Sequence, residues 1–393
     1  MKARGLVGFV LISSFVFVLT GVASTAGAGS NGWAPASASG FGTASNFVVL
    51  AFAPLGGQLY AGTGNLGGGH LWRQSSSGDW SSVTTNGFGD TNNAGIDHLV
   101  EFKSQLYAGT ANLTGGEIWR SSTGDSGTWS RVVASGFNDP TNVGIVRASV
   151  YSDTLYVGTL SYITITHGAE MWRSTTGNAG DWTRVITNGF ADNNNAGMPS
   201  SETFGDYLYV GTANDATGGE VWRCHACDGS DWAQVNTDGF GTSNYRNISA
   251  LAAFKGRLYA ATMGRPGLTG ASIWRCQTCA GGDWTKVVDN GLGNINTDGA
   301  SGLQVYQDYL YFAASNSLTG LEVWRSSTGD SGSWEQVGFG GFGQSANITT
   351  LDSALTVFND KLYVGTWNQN AGGQVWLYPG QQVYLPVIMR LYH

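Results

Sequence analysis

One short unit occurs seven times along this chain, and the seventh copy lacks a segment that the start of the chain supplies. The unit is marked by Leu-Tyr at 59–60, 106–107, 155–156, 208–209, 258–259, 310–311 and 362–363, usually followed by Ala/Val-Gly-Thr. A tryptophan marks the next apolar stretch, at Trp72, Trp119, Trp172, Trp222, Trp274, Trp324 and Trp376. A second column, Trp80, Trp129, Trp182, Trp232, Trp284 and Trp334, precedes a Gly-Phe or Gly-Leu pair. Its seventh member is Trp33, eight residues before Phe41. A period of 47–53 residues specifies a repeat architecture. Residues present in every copy are then structural, and function is to be sought where copies deviate.

Residues 88–133 parse into four strands, Ile96–Phe102, Leu106–Thr110, 117–120 and 128–133, bounded by Gly, Asn, Asp or Ser clusters. No ten-residue stretch has helical period. Four short antiparallel strands per unit of this length make a propeller blade. The expected fold is therefore all-β, a seven-bladed β-propeller of four-stranded blades. The last unit runs through its third strand at 374–377 and then has no Trp strand, whereas the orphan segment 32–37 precedes the first unit. Pairing the two N- and C-terminal strands would close the ring and remove the exposed edges.

Charged residues make up 12% of the chain, about half the usual share of roughly a quarter. The net charge of −8 and the lack of a Lys/Arg cluster argue against nucleic acid as a partner. Residues 1–28 read as a secretory signal, with Lys2 and Arg4, an apolar run Leu6–Leu19 and Ala26-Gly27-Ala28 for cleavage. A membrane anchor is the alternative, but the run is short and no basic stop follows it. The expected mature protein has no membrane span, is a monomer, and is extracellular or at the cell surface. It consists of a propeller over 29–380 and a tail over 381–393.

The four cysteines form two Cys-x-x-Cys pairs, Cys224/Cys227 and Cys276/Cys279, in the same register after Trp-Arg. A redox dithiol or a shared four-cysteine zinc site would fit the spacing. One local disulfide per turn suits an exported protein better.

The turn after the third strand carries a family resemblance. Ser122-Thr-Gly-Asp125-Ser-Gly127-Thr-Trp129 and Ser327-Thr-Gly-Asp330-Ser-Gly332-Ser-Trp334 resemble the Asp-box (BNR) turn of sialidase-type propellers. They differ by one residue between Ser and Asp. The segment from Thr175 to Trp182 follows more loosely, with Asn178 for the Asp. In that family the turn is a folding element remote from the active site, so the resemblance implies a fold and little chemistry. The tail, with Val-Tyr-Leu-Pro-Val-Ile-Met-Arg, is similar to short Tyr-Leu-Pro tails of exported bacterial proteins.

Several motifs imitate chemistry. Gly62-Thr-Gly64-Asn-Leu-Gly67 matches a dinucleotide pattern, but no helix follows to present its N-terminus to phosphate. Gly124-Asp125-Ser126-Gly127 resembles a serine-protease nucleophile segment, yet another copy reads Gly177-Asn-Ala-Gly180. Sialidase chemistry would need an arginine cluster and a Tyr/Glu pair. Six arginines occupy the repeat column after Trp, leaving Arg147, Arg246, Arg257 and Arg265 as irregular ones. The segment Asp90-Thr-Asn92-Asn93-Ala-Gly95-Ile-Asp97 has oxygen ligands at calcium-loop spacing, with Asp139 and Asp192 in the column of Asp90. Asx residues capping tight turns explain the same pattern without a metal, so no cofactor is expected beyond this calcium alternative.

In a propeller the fourth-to-first and second-to-third connections share one face. Here the second-to-third loops carry Asn65, Asn112, Asn214, Asn316 and Asn368. Insertions containing Tyr162 and His167, and Arg265, break the register of copies three and five. Trp367 fits neither tryptophan column. Loops on a rigid scaffold are where binding residues concentrate. The ligand candidates on sequence are thus Tyr162, His167, Arg265 and Trp367, with Asn112, Asn214, Asn316 and Asn368 in support. The expected role is a non-catalytic binding module for a carbohydrate (glycan) or an extracellular protein. The alternatives are a glycoside hydrolase or lyase on the same face, and a structural surface or adhesion unit.

Overall fold

The computed structural model describes residues 32–161, 167–349 and 354–379. The signal and tail expectations lie outside these residues. The chain is all-β, and its strands run antiparallel in groups of four. In the second repeat these are Gly95–Phe102, Gln105–Ala111, Ile118–Ser121 and Ser130–Val133, within two residues of the expected bounds. Consecutive repeats set their first strands against one another. Val48–Leu55 packs against Gly95–Phe102 on one side and against Leu355–Phe358 of the last repeat on the other.

The Leu-Tyr-x-Gly-Thr marker follows from this packing. Leu106 is buried in the core shared with the preceding repeat, and Tyr107 in the core shared with the next. Gly109 faces the next repeat, where a Cβ would stand 2.6–2.9 Å from Ile145. Gly62 meets Ile96, and Gly365 of the last repeat meets Val49 of the first, in the same way. Where the second strand carries Ala261 instead, the residue packed in that core is the smaller Ala300. The glycine column is the complement of a bulky column one repeat further on.

The Gly-Phe pairs bend the chain through left-handed backbone. Phe137 sits at φ 63°, which costs about 1–2 kcal/mol for a residue with a side chain. Its ring in return lies flat on Trp172 of the following repeat, 4.4 Å between centroids and 3° between planes. Phe88 on Trp119, Phe190 on Trp222 and Phe240 on Trp274 repeat the arrangement. Each tryptophan of the first column is thus a lid on its neighbour's turn.

The Asp of the turn ties adjacent repeats as well. Asp125 accepts a hydrogen bond from Arg73 of the preceding repeat, and Asp330 from Arg275. Gly124 of that turn lies against the hydroxyl of Tyr60, where any side chain would collide. The cysteine pairs are disulfides, Cys224–Cys227 and Cys276–Cys279, in the corresponding turns of two other repeats.

At the chain ends, Ala34–Pro35 pairs antiparallel with Val375–Tyr378, placing Ala34 opposite Leu377. Trp33 is 2% exposed, and its indole N–H donates to the Val337 carbonyl at 3.0 Å. Its ring contacts Phe342 and Tyr378. The orphan strand therefore lies beside the last repeat.

Candidate functional site

The asparagines of the second-to-third loops turn inward. Asn112, 2% exposed, donates to the side-chain oxygen of Asn93, which also accepts from Thr110. Asn93 in turn donates to the Gly87 carbonyl in the left-handed turn and to the buried carboxylate of Glu117. Asn214 with Asn195, and Asn368 with Asn347, repeat the bond, while Asn316 donates to Thr297 and Glu322. These amides satisfy buried turn backbone and leave no face for a ligand. Trp367 is likewise buried, packed with Val48 and Leu50 where the last repeat meets the first. These five positions therefore do not form the exposed binding surface expected of them.

The other loop candidates divide. Tyr162 lies outside the described residues. His167 Nε2 is 3.1 Å from the hydroxyl of Thr141, which donates to Asp139. Arg265 reaches across its insertion to the carbonyls of Asp215 and Ser243. The calcium candidates Asp90, Asp139 and Asp192 each accept the backbone N–H two residues on, in Asx turns. Asn92 supplies one of those N–H groups rather than joining a ligand set. Asp97 points elsewhere, with its carboxyl buried near Gly95 and Gly144 of the first strands. Among the described residues no group of three or more His, Cys, Asp or Glu is placed to hold a metal ion.

A different site emerges along the first strands. Opposite the Gly/Ala of each second strand stands a column of small residues, Ala51, Ser200, Ala250 and Gly302, continued by Ala354 beside Gly365. Two repeats break it, and they are adjacent. The second carries His98 and the third Arg147. Both line a cavity of about 340 Å³ with Glu202, Gln304 and Thr356 as further polar walls. Phe52, Leu251, Leu303 and Leu355 supply apolar ones. The lining residues come from the first strand of all seven repeats, so the cavity is axial.

The chemistry of this cavity is set by burial. His98 is 6% exposed, and its Nε2 lies 2.9 Å from the Ala148 carbonyl, which requires a hydrogen on that nitrogen. Burial, reinforced by the nearby Arg147 guanidinium, pushes its pKa down to about 3, so the ring is neutral and Nδ1 is an acceptor. That Nδ1 has no hydrogen-bond partner among the described residues. Arg147 is oriented by Ser201, through Nε to the hydroxyl at 2.9 Å and Nη2 to the carbonyl at 2.8 Å. Just beyond His98 toward the Asn-rich end, burial raises the Asp97 carboxyl to about 8. The irregular residues legible in the sequence include Arg147 but neither His98 nor Glu202, and the broken small-residue column is the signal for His98.

No protein-family model matches this sequence, and no curated protein matches it. Solved structures do resemble it. A structure described as an ancestral GH74 enzyme superposes with a TM-score of 0.59 at 13% identity, over 86% of this chain and 49% of that one. A PL25 ulvan lyase bound to a GlcA–Rha3S saccharide superposes with a TM-score of 0.55 at 9% identity, over 87% of this chain and 94% of that one. The fold is β-propeller-like. At such identity the likeness extends to the fold alone, and the chain spans about half the length of the GH74 enzyme.

Proposed function

We propose that this chain is an exported, closed seven-bladed propeller that acts on glycans, as a glycoside hydrolase or a polysaccharide lyase, with the axial cavity as its site. The carrying observation is that the two repeats that break the small-residue column place His98 and Arg147 in one cavity with Glu202. Residues conserved by the repeat explain themselves as packing, and these do not. The cavity offers what a pyranose needs, with hydrogen-bonding groups of both senses beside apolar walls for its C–H faces. In this reading Glu202 transfers the proton, Arg147 holds charge that develops on the sugar, and neutral His98 accepts a hydroxyl hydrogen at Nδ1. The enzyme reading is favoured over the non-catalytic module because the GH74 and PL25 neighbours are enzymes with glycan-directed names. Export is supported by the two disulfides.

The test is incubation of the secreted protein with neutral and acidic polysaccharides, ulvan among them, following new reducing ends and the absorbance of unsaturated products. Cleavage that disappears in Glu202→Gln is the expected result. Tight binding without cleavage would return the protein to the binding-module reading, and neither binding nor cleavage would end the glycan reading.

A further inference from the structure

The axial cavity is not at the end of the propeller where the Asn-rich loops lie. Each first strand runs from the fourth-to-first connection toward a two-residue turn, as Gly95–Phe102 does into Lys103-Ser104. The cavity residues occupy the middle and turn-side part of these strands: His98 on Gly95–Phe102, Glu202 on Asn195–Phe204, Gln304 on Gly299–Tyr306. Toward the opposite end, Val48, Leu50 and Trp367 form a buried apolar cluster with Phe47 and Ile348 packed against it. A second cavity, of about 420 Å³, lies on the turn side as well. Its walls are Val150, Ser152, Thr203, Asp206 and His225, from the turns of repeats three and four. Glu202 lines the axial cavity and Thr203, the next residue of the same strand, lines the second.

We propose that a glycan approaches from the turn side, with its terminal sugar in the axial cavity and the following residues in the groove between repeats three and four. The inference rests on the glycan reading above and adds direction and chain-end recognition to it. The axial cavity is at the small end of the range for ligand sites, roughly 300–1,000 Å³, which suits one sugar ring rather than a passing chain. The unpartnered, buried Nδ1 of His98 marks its polar floor. The groove walls Ser152, Thr203, Asp206 and His225 are all exposed, as befits residues that meet the solvent-facing part of a chain.

Hydrogen exchange of the full secreted protein tests this, with the monosaccharides glucose, galactose, rhamnose and glucuronic acid and with oligosaccharides of ulvan and of a neutral glucan as probes. Bound oligosaccharide should slow exchange in turns 149–154 and 202–207, and leave loops 112–116 and 316–320 unchanged. Thr356→Ala and Gln304→Ala, at half-buried positions that disturb folding less than the buried His98 would, should weaken monosaccharide and oligosaccharide alike by about three- to tenfold. Asp206→Ala should weaken oligosaccharides alone. Oligosaccharides blocked at each end in turn should show one block abolishing binding. Protection in the Asn-rich loops, or equal binding with either end blocked, overturns the chain-end inference while leaving the glycan reading intact. No protection and no binding by any probe overturns both.

Discussion

Replacing Trp33 by alanine probes the contact that joins the two ends of the chain. The indole is 2% exposed, and its N–H donates to the Val337 carbonyl from 304 residues away. Truncating a buried Trp costs about 3–5 kcal/mol in transfer and cavity terms. Loss of the hydrogen bond adds about 1 kcal/mol. The expected loss is about 4–6 kcal/mol, a large share of the roughly 5–15 kcal/mol that holds a typical domain folded. Trp80 is the control. It occupies the same column, makes the equivalent bond to the Ala36 carbonyl at 2.9 Å, and is only half-buried. Urea unfolding of the secreted protein, followed by far-ultraviolet circular dichroism, should give a much lower midpoint for Trp33→Ala than for Trp80→Ala. A loss below about 1 kcal/mol for Trp33→Ala would show that the terminal strand does not secure the last repeat, and would refute the closure argument.

Two further outcomes follow from buried polar groups. Glu117 accepts from Asn93, Trp119 and Arg131. Glu117→Ala should cost about 3 kcal/mol in urea unfolding by stranding buried donors, whereas Glu117→Gln should cost about 1, because Gln374 fills this role opposite Asn347 in the last repeat. Asp97, raised from 3.8 to about 8, keeps its proton in the folded state where the unfolded chain has lost it, so its contribution declines as pH rises from about 4 through 8. His98, lowered from 6.5 to about 3, acts in the opposite sense and erodes stability as pH falls from about 6.5 toward 3. Asp97→Asn should therefore remove about 2 kcal/mol of destabilisation between pH 6 and pH 8.5 and spare the acid limb, and an unchanged alkaline limb would contradict it.

The fold was legible because its markers are periodic for a physical reason. Gly109 exists for Ile145, Phe137 for Trp172, and Arg73 for Asp125, each pair reaching from one repeat to the next. The candidate site was not legible in the same way. Asn112 and Asn368 are polar and sit in loops, which suggests a surface, yet they are consumed by the left-handed turns beneath them. Trp367 departs from both columns because it fills the seam between last and first repeats. His98 was hidden by a bulge. The register slips between Ile96 and His98, so simple alternation along the strand assigns it to the wrong set of neighbours.

The antiparallel pairing of Ala34–Pro35 with Val375–Tyr378 also sets a clock. Trp33 is among the first residues of the described chain to leave the ribosome, and its partner Val337 is made 304 residues later. At roughly 5–20 residues per second, that is a delay of about 15–60 s during which the segment has no place to dock. Each intervening repeat can settle on its predecessor as it emerges, since those contacts are local. The final repeat cannot be completed until nearly the whole chain is present. Until that moment an unpaired strand edge is open at each end of the array, and those edges are where the nascent protein is open to mispairing with another copy.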